Sequence, residues 1–275
     1  MLLNKLSIIT SAAVLVCSLV SSAYADESRL QRIKDNEELR VSVNNDLKIL
    51  SLQDSKTGEY KGLEPSIAEM IAKAIDDKVN VTYITTTPTN RDNVLGIDYA
   101  DCMIGTYTIT EERKQKYDIS SPYFVTNISI LVNNKTNINS VKDLVGKKVG
   151  VIRNATASKE LVKYMVSKGL IEKTAFEDDS FDTDQWNNQI TFKAYDTDAA
   201  VMDALESNAI QAFCNDKIIL ESHLDENHRI LKDEFAPQAY GIVTAKGSDL
   251  SPFIDALIEK WRKDGTLDKL IKENL

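Results

Sequence analysis

The run Thr106–Phe124, TYTITEERKQKYDISSPYF, gathers residues that could hold a carboxylate. Three hydroxyls at alternate positions, Thr106, Thr108 and Thr110, precede Arg113. A guanidinium offers a planar, two-pronged donor set, and nearby hydroxyls and backbone N–H groups can fill an anion's remaining lone pairs. Spacing alone leaves a second reading open, a polar loop opening a charged helix with Arg113 paired to Glu111 or Asp118 at the surface.

Other chemistry-bearing residues point less clearly. His223 and His228, in ESHLDENHR, fall in a charged helix-to-loop stretch and read as solvated. They lack the companions of a Ser/His/Asp site or a metal site. The acidic stretch FEDDSFDTDQWNNQ (176–189) evokes a calcium loop but lacks that loop's glycine and closing glutamate, so it reads as a solvated surface excursion. No metal and no cofactor is expected.

The elements that must position these residues begin after an export signal. Lys5 precedes the apolar stretch LSIITSAAVLVCSLV, and Ala23-Tyr24-Ala25 has the small-x-small pattern of a cleavage site. Ser7, Thr10, Ser11 and Ser18 interrupt the apolar stretch and no basic stop-transfer residues follow, which disfavours a membrane anchor. Val16 before Cys17 is too bulky for a lipoprotein site. Cleavage after Ala25 would leave 250 residues (275 minus 25) in the periplasm or outside the cell. It removes one lysine and no acid, so the formal charge moves from −9 to −10. Such a surface disfavours nucleic acid and anionic lipid as partners, but not a small anion held by buried arginines. Cys102 and Cys214 remain, each in an apolar strand-like segment, and read as buried thiols, with a disulfide between them as the alternative.

Strand-like and helix-like segments alternate, which predicts an α/β fold. ELRVSVNND reads as a strand, TGEYKGLEP as a turn, and Glu64-Pro65 opens the helix SIAEMIAKAI. KVNVTYIT and Asp101–Ile109 read as further strands, and VKDLVG as a helix. SPFIDALIEKWRKDG places Phe253, Ile254, Leu257, Ile258 and Trp261 on one helical face. Two similar strand–turn–helix patterns, from Val41 and from Val149, predict two lobes facing a cleft.

Five ordered segments carry a resemblance. TGEYKGLEPSIAEMIAKAI resembles the Gly-x-x-x-Gly-[Phe/Leu] turn and first helix of the family 3 extracellular solute-binding proteins, the polar amino-acid receptors of ABC importers. TYTITEERKQKYDISSPYF is similar to that family's Thr-x-Thr-x-x-Arg run ending in Ser-x-Pro-Tyr. VKDLVGKKVGVIRNATA, ALESNAIQAFCND and AYGIVTAKGSDL follow in the family's order. The turn Gly96-Ile97-Asp98 departs from the family's common Asn-Gly.

The resemblance, which covers roughly residues 29–275, implies a two-lobed type II periplasmic-binding-protein fold. Lobe 1 is expected at 29–122 and 241–275, lobe 2 at 128–235, and hinge crossovers at 123–127 and 236–240. It implies an amino acid between the lobes, with Arg113 and Thr108 on its α-carboxylate, joined by Thr156 and the backbone N–H of Ala157. Asp216, helped by the Thr106 carbonyl, would take the α-ammonium. Arg91, in TPTNRDNVL, resembles the arginine that reaches a side-chain carboxylate in members binding acidic amino acids. Glutamate or aspartate is therefore expected before glutamine. Arg153 and Asn44 are further candidates for the cleft. A membrane-embedded permease with its ATPase is the implied partner of an otherwise monomeric receptor. A dehydratase-like enzyme on the same scaffold is the alternative class, and a sensor or adhesin is a third.

Overall fold

A computed structural model describes residues 28–96, 99–173 and 181–275. The expected export signal, the turn residues Ile97 and Asp98, and residues 176–180 of the acidic stretch lie outside the described residues.

The first sheet takes its strands in the spatial order 80–85, 38–43, 102–103, 243–245, 117–119. Strand Glu38–Val43 is parallel to Asn80–Thr85 and to Cys102–Met103, whereas Val243–Ala245 returns antiparallel. Leu39, Val41 and Val43 are fully buried under the helix Leu63–Ile75, whose Leu63, Ile67, Ile71 and Ile75 recur at four-residue intervals. That helix starts where only glycine fits. Gly62 has φ +123°, and a Cβ there would stand 2.6 Å from the Leu50 carbonyl oxygen. The close approach lets the Glu64 N–H donate to the Leu50 carbonyl at 2.9 Å and plants the helix's first turn in the interior.

The second sheet has the order 191–195, 148–152, 212–216, 124–133, 228–230, with 235–240 also paired to 124–133. Thr191–Tyr195, Lys148–Ile152 and Ala212–Asp216 run parallel, each followed or preceded by a helix, and Phe124–Asn133 lies antiparallel to Ala212–Asp216. Its core gathers Ile128, Ile130, Val149, Val151, Leu161, Met165 and Phe192, separate from the core of the first sheet.

The chain passes between the sheets twice. Phe124–Asn133 leaves the first, Phe235–Tyr240 returns to it, and the two pair side by side through Tyr240↔Phe124, Ala239↔Val125 and Gln238↔Thr126. The returning strand also bridges Thr108, so the threonine-rich run lies directly against the crossover.

Several local expectations change. The strand foreseen over Asp101–Ile109 is confined to Cys102–Met103, because Thr106 at φ +48° turns the backbone out of the ladder. VKDLVG forms a single 3-10 turn, Val141–Leu144, capped by Ser140 and Asp143. His228 is buried rather than solvated, its Nδ1 2.7 Å from Asp225. In the described part of the acidic stretch Asp182 and Asp184 are exposed, as expected, but its aromatics anchor it: Phe181 packs on Trp186 and Phe192, and Trp186 joins the second core. Cys102 and Cys214 are free, buried thiols in different sheets.

Candidate functional site

A cleft between the two sheets has about 630 Å³ of empty space, its open mouth included. Asn44, Arg91, Thr106, Thr108, Arg113, Thr156 and Asp216 all line it.

On the first sheet's side, Arg91 begins the short helix Arg91–Gly96 and is only 5% exposed. Arg113 lies on the helix Glu111–Lys116, whose N-cap Thr110 accepts the Arg113 N–H at 3.2 Å. Both guanidiniums pack on the ring of Tyr107, at 4.6 Å for Arg91 and 4.1 Å for Arg113. Their hydrogen bonds go to backbone carbonyls. Arg91 donates to Gly105 at 3.4 Å, and Arg113 donates to Thr108 at 2.8 Å and across the cleft to Asn154 at 3.3 Å. Among the described residues no carboxylate pairs with either arginine. Burial, and then the charge of Arg113, push the Arg91 guanidinium down to about 10, against the opposing pull of Tyr107, Asp92 and Asp216. Burial lowers Arg113 in the same direction.

The second sheet supplies the opposite charge. Asp216 ends the strand Ala212–Asp216 and precedes the helix Lys217–Ser222, yet its side chain does not cap that helix. Its Oδ2 instead accepts the hydroxyl of Tyr240, on the returning crossover. Burial raises the Asp216 carboxyl to about 6, although Tyr240, Arg113 and Arg91 all favour its ionised form. Thr156 stands at the N-terminus of the helix Ala157–Ser167; its hydroxyl donates to Gln238 at 2.7 Å rather than capping the helix. Ala157 is buried at the start of the same helix and is not among the lining residues.

Asn44 lines the cleft and donates to the Thr106 hydroxyl at 3.3 Å. Arg153 does not line it. Its Nη1 pairs with Asp184 at 2.6 Å, its Nε with Asp196 at 3.0 Å, and its side chain stays 39% exposed. The acidic stretch thus claims an arginine that sequence reading assigned to the cleft.

Four contributors escaped that reading. Tyr107, buried behind both arginines, alternates with the hydroxyls that drew attention instead. Glu64, read as a helix opener, accepts the Thr106 N–H at 2.8 Å. Asp46 and Asp198 also line the cleft, and burial, followed by the charge of Asp198, raises the Asp46 carboxyl. Asp198 in turn accepts from Asn215 at 3.3 Å. Only their long-range convergence makes these residues informative.

The model of the bacterial extracellular solute-binding proteins, family 3, matches residues 39–275. The chain belongs to that family. It is 30% identical over 258 residues to the ABC transporter glutamine-binding protein GlnH of Bacillus subtilis, covering 92% of this chain and 86% of the relative. It is 28% identical over 272 residues to the L-cystine-binding protein TcyJ of Escherichia coli K12, covering 94% and 90%. Among solved structures, the ancestral amino acid-binding protein AncCDT-1, described as a precursor of cyclohexadienyl dehydratase, superposes with a TM-score of 0.72. That match is 25% identical and covers 90% of this chain and 99% of the other. The fold is therefore the two-lobed type II fold, and the family is that of amino-acid-binding proteins of ABC transporters.

Proposed function

We propose that this family member binds an acidic amino acid, glutamate or aspartate, between its lobes and delivers it unchanged to a membrane permease driven by an ATPase. The observation that carries this reading is the pair of arginines on Tyr107, Arg91 buried and Arg113 half-buried, neither matched by a carboxylate among the described residues. A desolvated guanidinium without its anion is costly, so two of them side by side favour a ligand with two carboxylates.

In this reading Arg113, with Thr108 and the helix N-terminus at Thr156 and Ala157, takes the α-carboxylate. Arg91 takes the side-chain carboxylate, and Asp216 with the Thr106 carbonyl takes the α-ammonium. Arg113 and Asp216 lie on opposite walls, so one zwitterion satisfies both and draws the lobes together about the crossovers at 123–127 and 236–240. Lobe 1 would be 29–122 with 241–275, and lobe 2 would be 128–235. The chain would act as a monomer, exported and cleaved after Ala25, in the periplasm or outside the cell. Glutamine is the second reading, favoured by the similarity to a glutamine-binding relative. Both readings are of binding without turnover.

Calorimetric titration of the wild type and Arg91→Ala with glutamate, aspartate, glutamine and arginine tests the assignment. Arg91→Ala should weaken the acidic ligands most, by roughly thirtyfold or more, because a charge-assisted partner is lost. Tightest wild-type binding of glutamine would favour the second reading. A preference for a cationic or apolar amino acid, or a ranking unmoved by Arg91→Ala, would overturn the role given to Arg91.

A further inference from the structure

Glu64 is wholly buried, although it is an acid in the first turn of a helix. Its Oε1 accepts two hydrogen bonds, from the Thr106 N–H at 2.8 Å and from the Tyr123 hydroxyl at 2.6 Å. Its Oε2 is buried with no hydrogen-bond partner among the described residues. The two donors belong to different working parts. Thr106 is a cleft-lining residue held at φ +48°, an unfavourable conformation for a β-branched side chain. Tyr123 immediately precedes the outgoing strand Phe124–Asn133, and its N–H donates to the Tyr240 carbonyl on the returning crossover at 2.9 Å. Tyr240 in turn donates its hydroxyl to Asp216.

The geometry points to Glu64 as a positioning residue of the amino-acid site: one carboxylate oxygen fixes the strained Thr106 turn and the first crossover together. This inference rests on the amino-acid site proposed above. Without that acceptor, the Thr106 N–H is buried unpaired and the φ +48° turn loses the bond that holds it. The cleft floor then shifts relative to Asp216, because Tyr123 no longer keys the crossovers to the same point. A helix-stabilising acid would produce none of this, since its effect would stop at the helix.

Because both bonds end on Oε1, Glu64→Gln can keep them through its carbonyl oxygen, whereas Glu64→Ala loses both. Titration with L-glutamate, L-aspartate and L-glutamine at one pH, with X-ray scattering at saturation, reads the difference. Glu64→Ala should bind the preferred amino acid at least about tenfold more weakly and contract less on saturation. Glu64→Gln should stay within about threefold of wild type, and Tyr123→Phe, losing one of the two bonds, should fall between them. Wild-type-like affinity in Glu64→Ala would overturn the inference, as would a Glu64→Gln protein as weak as Glu64→Ala. If Glu64→Ala shows no cooperative melting, the decision passes to the other pair: weakened Tyr123→Phe beside near-normal Glu64→Gln supports the role, and any other result rejects it. A wild type that binds none of the amino acids removes the site reading and this inference together. A wild type that binds while Glu64→Ala is unaffected removes the role of Glu64 alone.

Discussion

Two arginine clusters lie in the first lobe, and they are built in opposite ways. At one, Arg29, Arg32 and Arg40 converge on the single carboxylate of Asp101, whose side chain is fully buried while theirs keep about a fifth of their exposure. Burial pushes the Asp101 carboxyl up, but the Arg40 side-chain and backbone donors and the neighbouring charges outweigh it, so it lies below the usual carboxylate range. At the other, Arg91 and Arg113 share an aromatic ring and bond only to carbonyls among the described residues. The first cluster carries its own anion and ties the helix Arg29–Asn36 to the sheet. The second holds no anion of its own among the described residues, which suits the proposed binding site rather than a scaffold.

Exchanging one residue in each cluster should separate the two designs. Arg113→Ala should weaken every amino acid ligand by about a hundredfold or more, since it removes the proposed holder of the α-carboxylate that all share, and should leave the melting temperature nearly unchanged. Asp101→Ala should do the reverse. Three cations would lose their common partner, at about 3 kcal/mol and a melting temperature roughly 10 °C lower, with the dissociation constant unmoved. Calorimetry and thermal melts on both variants check the pair. Loss of affinity in Asp101→Ala, or mere loss of stability in Arg113→Ala, would break the contrast.

The sequence carried the fold and much of the site unevenly. The buried helix Leu63–Ile75 was legible because its apolar period and Pro65 agree with one another. The convergence of Asn44, Arg91, Thr106, Thr108, Arg113, Thr156 and Asp216 on one cleft followed from the family resemblance, since local chemistry alone marked only the run from Thr106 to Arg113. Arg153 was misplaced because its partners are far along the chain: Asp184 and Asp196 compete for its guanidinium. Tyr107 and Glu64 were missed for a related reason. A tyrosine in a strand and a glutamate opening a helix look ordinary until tertiary packing seals them from water. Trp186 illustrates the same limit, since a polar-looking stretch conceals a residue that belongs to the core.

The arginine contrast extends to the carboxylates, because Glu64 has no cation paired to it among the described residues and should therefore load stability with pH. Burial raises its carboxyl from 4.5 to about 7, with Tyr123, Thr106 and Arg91 opposing. Between those values the unfolded chain has already lost this proton while the folded protein keeps it, so stability falls as pH rises through the interval. Glu64→Gln removes that ionisation. Its unfolding free energy relative to wild type should therefore grow by about 2–3 kcal/mol between pH 5 and pH 8. Denaturant titrations at the two pH values read this directly, and a constant difference would show that Glu64 ionises as freely in the folded chain as in the unfolded one.

The smallest effect concerns Asp216, and it separates binding from folding. Its carboxyl stands at about 6 in the free protein, held up by burial. An α-ammonium beside it would favour the carboxylate and lower that value in the complex, so the free protein is the form with the higher proton affinity. Binding below pH 6 must then expel a proton, and affinity should fall as the pH drops, approaching tenfold per unit. A glutamate side chain, with an ordinary value near ~4.3, stays ionised at pH 5 and cannot produce the change itself. The dissociation constant should thus be about tenfold weaker at pH 5 than at pH 7, with proton release visible as a dependence of the binding enthalpy on buffer. Glu64 provides the control for sign: an anion that neutralises the field of Arg91 raises its carboxyl, so it takes up a proton on binding, and Glu64→Gln should leave the loss at pH 5 in place. An affinity that is flat from pH 7 to pH 5 in the Glu64→Gln protein would mean that Asp216 does not receive the ammonium.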